Sequence, residues 1–598
     1  MHRLSMAEYR APIVVVVGHV DVGKTLLLDK IRNTAVAYRE PGMITQHIGL
    51  SYLPWPAIEK YASGLLDKFR LKGKIWVKGF LMVDTPGHAA FSNLRRRGGS
   101  VADLAILVID ILEGMEEQTK ESLFLLKSRN IPFVVAANKV DKVYGWQAHP
   151  NSAFIDSYDA QDEATQGRVE EMIAKIAGEL AENGIEADRY DRVMDYARQV
   201  PIVPTSAVTG EGIADLLVVL AGLTQRLVKD KLMVHDGPGR GVIMEIKEEK
   251  GWGTTADTII YDGSINKGDR IAALGLDGPF YTSVRMLVMP KPLDEMRDPE
   301  DKYMLVNSVK AAAGVRVVGE ELQRAVPGSP LIVVKSEAQL RDALDELRAE
   351  ASSIRIEVDK SGVVAKADTL GTLESMVLYL RNQNIPVRRA DIGPVVRRDI
   401  IEASVVKRRD PLYAVVLAFN VKVTQEADVE AQQHGIRIFQ NNILYRLVDE
   451  FLNWHREQRS RSIEGELNKV TRPGKVKIIP GYVFRRSNPI IVGVKVLEGQ
   501  VRPGYRLRRG EDGRVIGTIM QMQNNGKPVQ LAKKGDEVAI SIQGNAMVGR
   551  HVREGDELYV DIPEEHLVKL LMDFREYLEP GEVDLIHEYQ AAKKRWSD

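Results

Sequence analysis

The stretch IVVVVGHVDVGKTLLLDKI, Ile13 to Ile31, decides how this chain is read. Five apolar β-branched residues in a row, Ile13–Val17, are too few for a helix and show no polar alternation. They predict a strand buried on both faces of a parallel sheet. From Lys24 to Ile31 the spacing turns helical. Between the two stands GHVDVGKT, Gly18 to Thr25, which fits G-x-x-x-x-G-K-T in the strand-to-helix position that a phosphate-binding loop requires. Gly18 and Gly23 let backbone N–H groups close around phosphate oxygens, with His19, Val20, Asp21 and Val22 supplying the backbone between them. The helix N-terminus adds partial positive charge. Lys24 is placed to lie between β- and γ-phosphates, and the Thr25 hydroxyl to coordinate Mg²⁺. A chance match somewhere in a chain of this length is on the order of a few per cent before the flanking strand and helix are counted.

Outward from this loop, buried-strand runs (Phe80–Val83, Ala105–Ile109, Phe133–Ala136, Ile202–Val203) alternate with helical stretches, including Thr119–Ser128. That is a P-loop α/β domain over residues 1–228. Within it, residues 144–198 form a charged insertion, helical over Gln166–Asn183, expected to decorate the rim of the sheet. Residues 229–337 change texture. Short alternating runs broken by Asp262-Gly263, Lys267-Gly268 and Pro327-Gly328 predict a β-barrel. Residues 338–440 return to an α/β/α pattern, with a helix over Leu370–Asn382. Residues 441–467 read as one connecting helix, amphipathic through Leu444, Leu447, Val448, Phe451 and Leu452 and then polar all round, as in a rod between two bodies. A second β-barrel, 468–562, repeats the first: GSINKGDRI (Gly263–Ile271) matches GQVRPGYRL (Gly499–Leu507). C-terminal helices occupy 563–598. The second barrel is rich in Lys and Arg and the tail is acidic, so the barrel is the better candidate for facing phosphates or an acidic partner.

With 598 residues the chain has room for about four domains. Its 82 Lys and Arg against 83 Asp and Glu exclude a uniformly basic nucleic-acid coat and leave local basic surfaces open. The absence of cysteine excludes disulfides, thiolate metal sites and a cysteine nucleophile, and fits a reducing cytoplasm. No apolar run approaches the ~18 residues of a membrane span, and the opening MHRLSMAEYRAP has no signal-peptide core, so no membrane role is expected.

Three further strings carry chemistry. In DTPGH, Asp84 is placed to reach Mg²⁺, and Thr85 and Pro86 are expected with it among the nucleotide-binding residues. Gly87 can offer its N–H to a γ-phosphate because no side chain blocks it. His88 then stands where an attacking water is positioned. In NKVD (Asn138, Lys139, Val140, Asp141) the Asp141 carboxylate can accept from both the N1–H and the exocyclic amine of guanine, a donor pair that adenine lacks. The Lys139 stem can lie over the purine. In Thr205-Ser206-Ala207 the Ala207 N–H can meet the guanine oxygen. Thr45, in PGMITQHIG, is spaced to bind Mg²⁺ only while a γ-phosphate holds its loop, an order–disorder switch. Each string follows a strand, at the sheet edge where ligands gather in open α/β folds. Arg95–Arg97 are expected on a helix after DTPGH, and no arginine finger is evident.

Together these strings resemble the translational GTPases, the group that includes elongation factor Tu. PGMITQHIG and DTPGHAAFSNLRRRGG narrow the resemblance to bacterial translation initiation factor two and its archaeal and eukaryotic counterpart, initiation factor five-B. ILEGMEEQTKESL and NKVDKVYGW resemble the archaeal and eukaryotic branch. The similarity spans the whole chain; many relatives carry His at the position of Val22. The resemblance implies a ribosome-dependent GTPase, with GTP/GDP and Mg²⁺ as ligands, that promotes joining of the ribosomal subunits. It implies contacts to both subunits and their rRNA. It also implies methionylated initiator tRNA at the second barrel, initiation factor one-A at the C-terminal helices, and a monomer. Two other readings compete: an elongation-type carrier of aminoacyl-tRNA, which needs no central α/β domain or rod, and a P-loop ATPase or kinase, which Asp141 argues against.

Overall fold

The computed structural model describes residues 9–37, 46–47, 50–83, 94–96, 99–235, 237–249, 251–275, 277–290, 303–354, 359 and 361–597. The chain divides into two compact units, Met1–Leu452 and Asn453–Asp598.

The first unit opens with a sheet whose strands run in the order Gln46–His47, Leu50–Pro54, Gly79–Val83, Ile13–Gly18, Leu104–Asp110, Phe133–Asn138, Gln199–Pro204 and Glu186–Arg189. From Gly79–Val83 onward the neighbours pair in parallel. All residues of Ile13–Gly18, Leu104–Asp110 and Phe133–Asn138 are buried, as their unbroken apolar runs require. Several features depart from expectation. Leu50–Pro54 pairs antiparallel with Gly79–Val83 and extends the sheet on one side. The 144–198 insertion does more than cover the rim: its Glu186–Arg189 segment pairs with Gln199–Pro204 as the outermost strand. The insertion's main helix runs Glu163–Glu182, three residues earlier than expected, because the Asp162 carboxylate caps it by accepting the Thr165 N–H at 2.7 Å. Arg95 and Arg96 lie on a two-residue strand paired with Gly99–Ser100, not on a helix. Two consecutive glycines in sequence, Gly98 and Gly99, are poor helix formers.

The first barrel is a closed ring: Arg270–Gly275, Pro330–Val334, Arg240–Glu249, Gly253–Asp262, Ala313–Gly319 and Gly278–Pro290, which pairs back to the start. The central α/β segment holds four parallel strands in the order Val387–Ile392, Val363–Ala367, Val415–Phe419, Arg437–Asn441, with the helix Leu370–Asn382 following the second. The long helix spans Leu444–Lys469, 26 residues, and crosses from the first unit into the second. Leu444, Leu447, Val448 and Phe451 are buried, whereas most positions from Arg456 to Glu466 are exposed.

In the second unit the ring is Gly474–Arg485, Glu557–Val560, Arg506–Arg509, Val515–Asn524, Glu537–Gln543 and Ile490–Val501, closing on the start. Counted from each barrel's own first strand, this is the same ring order as in the first barrel. The matched glycines also share their geometry. Gly263 and Gly499 have φ of 63° and 68°, and a Cβ on either would meet the carbonyl oxygen of the proline before the first strand, Pro238 or Pro473, at 2.6 and 2.1 Å. The position at the end of each barrel's second strand therefore tolerates only glycine, which is why the repeat is legible. The helices Glu564–Met572 and Pro580–Ser597 pack on this barrel, where Trp596 meets Tyr559 and Tyr589 at ring separations of 6.1 and 5.9 Å. Among the described residues no helix is long and apolar enough to cross a membrane.

Candidate functional site

Four loops converge at the carboxyl edge of the first sheet: those after Ile13–Gly18, Leu104–Asp110, Phe133–Asn138 and Gln199–Pro204. In the first, Gly18 (φ 145°) runs so close to its neighbour that a Cβ would sit 2.3 Å from the Val108 carbonyl oxygen. Gly23 (φ 89°) would drive a Cβ to 2.6 Å from Asn138 Nδ2. Asp21 takes a left-handed φ of 62° between them. Val22 is buried, so its side chain points into the core and takes no part in the loop's concave face. Lys24 Nζ donates to the carbonyl oxygens of Gly18, at 2.9 Å, and of His19. Burial lowers the pKa of its ammonium, against a weaker opposing pull from Asp21. Thr25 is exposed in the first turn of the helix Lys24–Ala37.

The outer side of the loop is held by residues that sequence reasoning did not single out. His19 Nε2 lies 3.1 Å from Glu116, and the Val20 N–H donates to Gln118 Oε1 at 3.0 Å. Both partners stand at the start of the helix Glu117–Ser128. Nothing in EEQTKES marks them, because one glutamine among charged helix residues carries no periodic signal.

On the other side Asn138 ties three loops together. Its Nδ2 donates to the Val22 carbonyl at 2.8 Å, and its Oδ1 accepts the Ala207 N–H at 3.0 Å and the Thr205 hydroxyl at 3.5 Å. The Ala207 N–H, expected to be free for a guanine oxygen, is thus already engaged. Lys139 is left-handed (φ 72°) and its Nζ pairs with the buried Asp110 at 2.7 Å. Val140 donates its N–H to the Thr205 carbonyl at 3.1 Å, and the Ser206 hydroxyl accepts the N–H groups of Val208 and Thr209. Two atoms of these loops, Asp141 Oδ1 and His19 Nδ1, are buried and have no hydrogen-bond partner among the described residues. Thr45, Asp84, Thr85, Pro86, Gly87 and His88 lie outside the described residues.

Comparison with known proteins follows this geometry. Residues 9–226 match the Elongation factor Tu GTP binding domain, 335–452 match Translation-initiation factor 2, and 472–559 match Elongation factor Tu domain 4. The probable translation initiation factor IF-2 of Caldivirga maquilingensis is 67% identical over 589 residues, which cover 98% of this chain and 99% of that protein. The chain belongs to the translation initiation factor IF-2 family. Another IF-2 relative, from Pyrobaculum neutrophilum, is 56% identical over 98% of this chain and 99% of its own length. The crystal structure of GDP-bound aIF5B from Aeropyrum pernix superposes with a TM-score of 0.79 at 46% identity, covering 99% of this chain and 98% of that one. This IF-2 family member is therefore a GTP-hydrolysing translation initiation factor that works as a GTP/GDP switch.

Proposed function

We propose that the carboxyl edge of the first sheet selects guanine through Asp141 and that hydrolysis there times the joining of the ribosomal subunits over initiator tRNA. The observation that carries the reading is the unpartnered, buried Asp141 Oδ1 beside the Asn138 junction. A buried carboxylate oxygen without a donor is costly, and guanine brings two donors on one edge. Asn138 holds the base-side loops to the phosphate loop. A guanine oxygen would share the Ala207 N–H with Asn138 Oδ1. Gly18, Gly23 and the intervening N–H groups form the phosphate cradle, where Lys24 exchanges its carbonyl partners for phosphate oxygens. Thr25, with Thr45 and Asp84, would hold Mg²⁺: two hydroxyls and a carboxylate are the hard oxygen donors it prefers, and it would neutralise charge on the phosphates. Gly87 would meet the γ-phosphate and His88 would position water.

The second barrel would take the acceptor end of methionylated initiator tRNA. Exposed Tyr482 and Phe484 beside Arg485 and Arg486 suit stacking on unpaired bases and phosphate pairing. The acidic C-terminal helices would bind initiation factor one-A. The long helix, about 39 Å by its rise per residue, would act as a lever. The factor would work in the cytoplasm as a monomer.

Asp141→Asn tests the reading directly. It should shift preference from guanosine to xanthosine nucleotides, because an amide meets the xanthine carbonyl with a donor. Tight ATP binding by the native protein, or an unchanged preference in the variant, would overturn it.

A further inference from the structure

Guided by that GTP/GDP reading, we infer that Glu121 is a positioning residue: it joins the helix beside the phosphate loop directly to the first turn of the long helix, so that the two respond together to the bound nucleotide. The helix Glu117–Ser128 has two working ends. At its start, Glu116 and Gln118 grip His19 and Val20 of the loop. On its other side, Glu117, Glu121 and Phe124 follow i, i+4, i+7 spacing and share a face.

That face meets the start of the long helix. Glu117 pairs with Arg446. The Leu444 N–H donates to the Glu121 carboxyl. The Phe124 ring stands edge-on to Tyr445 at 6.4 Å and to Tyr379 of the Leu370–Asn382 helix at 5.4 Å, while Tyr379 and Tyr445 lie 4.5 Å apart. Beyond the helix's end, Arg129 reaches Ser375 on that same Leu370–Asn382 helix at 3.4 Å.

Leu444 is the first residue of the long helix, so its N–H has no acceptor inside that helix. A carboxyl oxygen delivered from another segment supplies one. Glu121 is only 3% exposed and sits among aromatic rings, where an apolar side chain of the same size would pack without desolvating a polar group. Packing alone therefore gives no reason for a glutamate; the Leu444 N–H does. Burial outweighs that hydrogen bond and raises the carboxyl pKa to about 8, so near neutrality the cap is a neutral acceptor. The distance from the loop-gripping residues to Glu121 is one helical turn, so a shift at His19 or Val20 reaches Leu444 through a single rigid element. No loop intervenes.

The test uses the full chain. Because it has no cysteine, Glu182→Cys and Lys527→Cys give two specific fluorophore sites, one in each unit and both exposed. Energy transfer is read with GDP and with a non-hydrolysable GTP analogue, on and off ribosomes. Glu121→Gln keeps a neutral acceptor of the same shape, and Glu121→Met keeps the size without the acceptor. The native and Gln proteins should show the same nucleotide-dependent difference. The Met protein should bind both nucleotides yet lose roughly fivefold or more of the coupling between nucleotide and long-helix state. A Met protein that keeps the full difference overturns the joint and leaves the switch standing, as does a Gln protein that behaves like Met. A native protein with no nucleotide-dependent difference overturns both.

Discussion

At the scale of single residues, the site is a set of backbone groups kept in place by side chains that need never touch a ligand. Gln118 is the clearest case. It takes the Val20 N–H at 3.0 Å and so fixes which peptide groups of the loop remain turned inward. Gln118→Ala should cost roughly 1 kcal/mol of loop order, read as about fivefold faster GDP release in stopped-flow fluorescence, with the midpoint of thermal unfolding little changed. An unchanged release rate would show the contact to be idle. The motifs themselves were legible because each demands a rare residue at a fixed spacing: glycine where a Cβ would strike Val108 or Asn138, aspartate where base reading is proposed. Their supports were not. The pairing of Lys139 with Asp110, the Glu116 contact to His19 and the capture of the Ala207 N–H by Asn138 join residues far apart in the chain through ordinary side chains.

At the scale of elements, the joint at Glu121 makes a pH prediction. Its folded pKa of about 8 stands above the ordinary 4.5, because burial disfavours the charged form. The stability it contributes is therefore complete below about pH 4.5 and falls as pH rises through about 8, by at most ~1.4 kcal/mol per pH unit. Tyr379 on one helix and Tyr445 on the other feel its charge, and Asp449 acts on the same two phenols. Burial first, and nearby acidic groups second, raise both tyrosine pKa values, so both phenols stay neutral and neither adds a negative charge beside the carboxyl. Arg446 is taken by Glu117. Chemical denaturation at pH 6, 7.5 and 9 should show this loss in the native protein and a flatter profile in Glu121→Gln; parallel profiles would contradict it. Elements with a strong internal pattern were readable, including the valine-rich strand, the Leu370–Asn382 helix and the long helix to within a few residues. The strand Glu186–Arg189 was not, because EADR has no apolar alternation and becomes a strand only by pairing with Gln199–Pro204. The strand Leu50–Pro54 owes its place in the same way to Gly79–Val83.

At the scale of the whole molecule, two barrels share one ring order and one glycine position, in a chain that also holds a GTP-binding sheet and a central α/β segment. No arginine finger is evident in the sequence, and His88 is the proposed water-positioning group. Hydrolysis by the purified protein should be slow and should rise by about 10³-fold or more with ribosomes, a rise that His88→Ala should abolish. Rapid turnover without ribosomes, or a fully stimulated His88→Ala protein, would remove that assignment.

The bare middle of the long helix has a mechanical consequence. From Arg456 to Glu466 its ladder has few neighbours to brace it, so its stiffness rests on the intrinsic preference of each residue for the helical state. Gly465 lies in that span, and an added methyl there would meet nothing within 4 Å. A glycine inside a helix gives up roughly 0.5–1 kcal/mol relative to alanine. Under a sideways load the beam would yield first at that point, and a residue without a side chain would set its compliance.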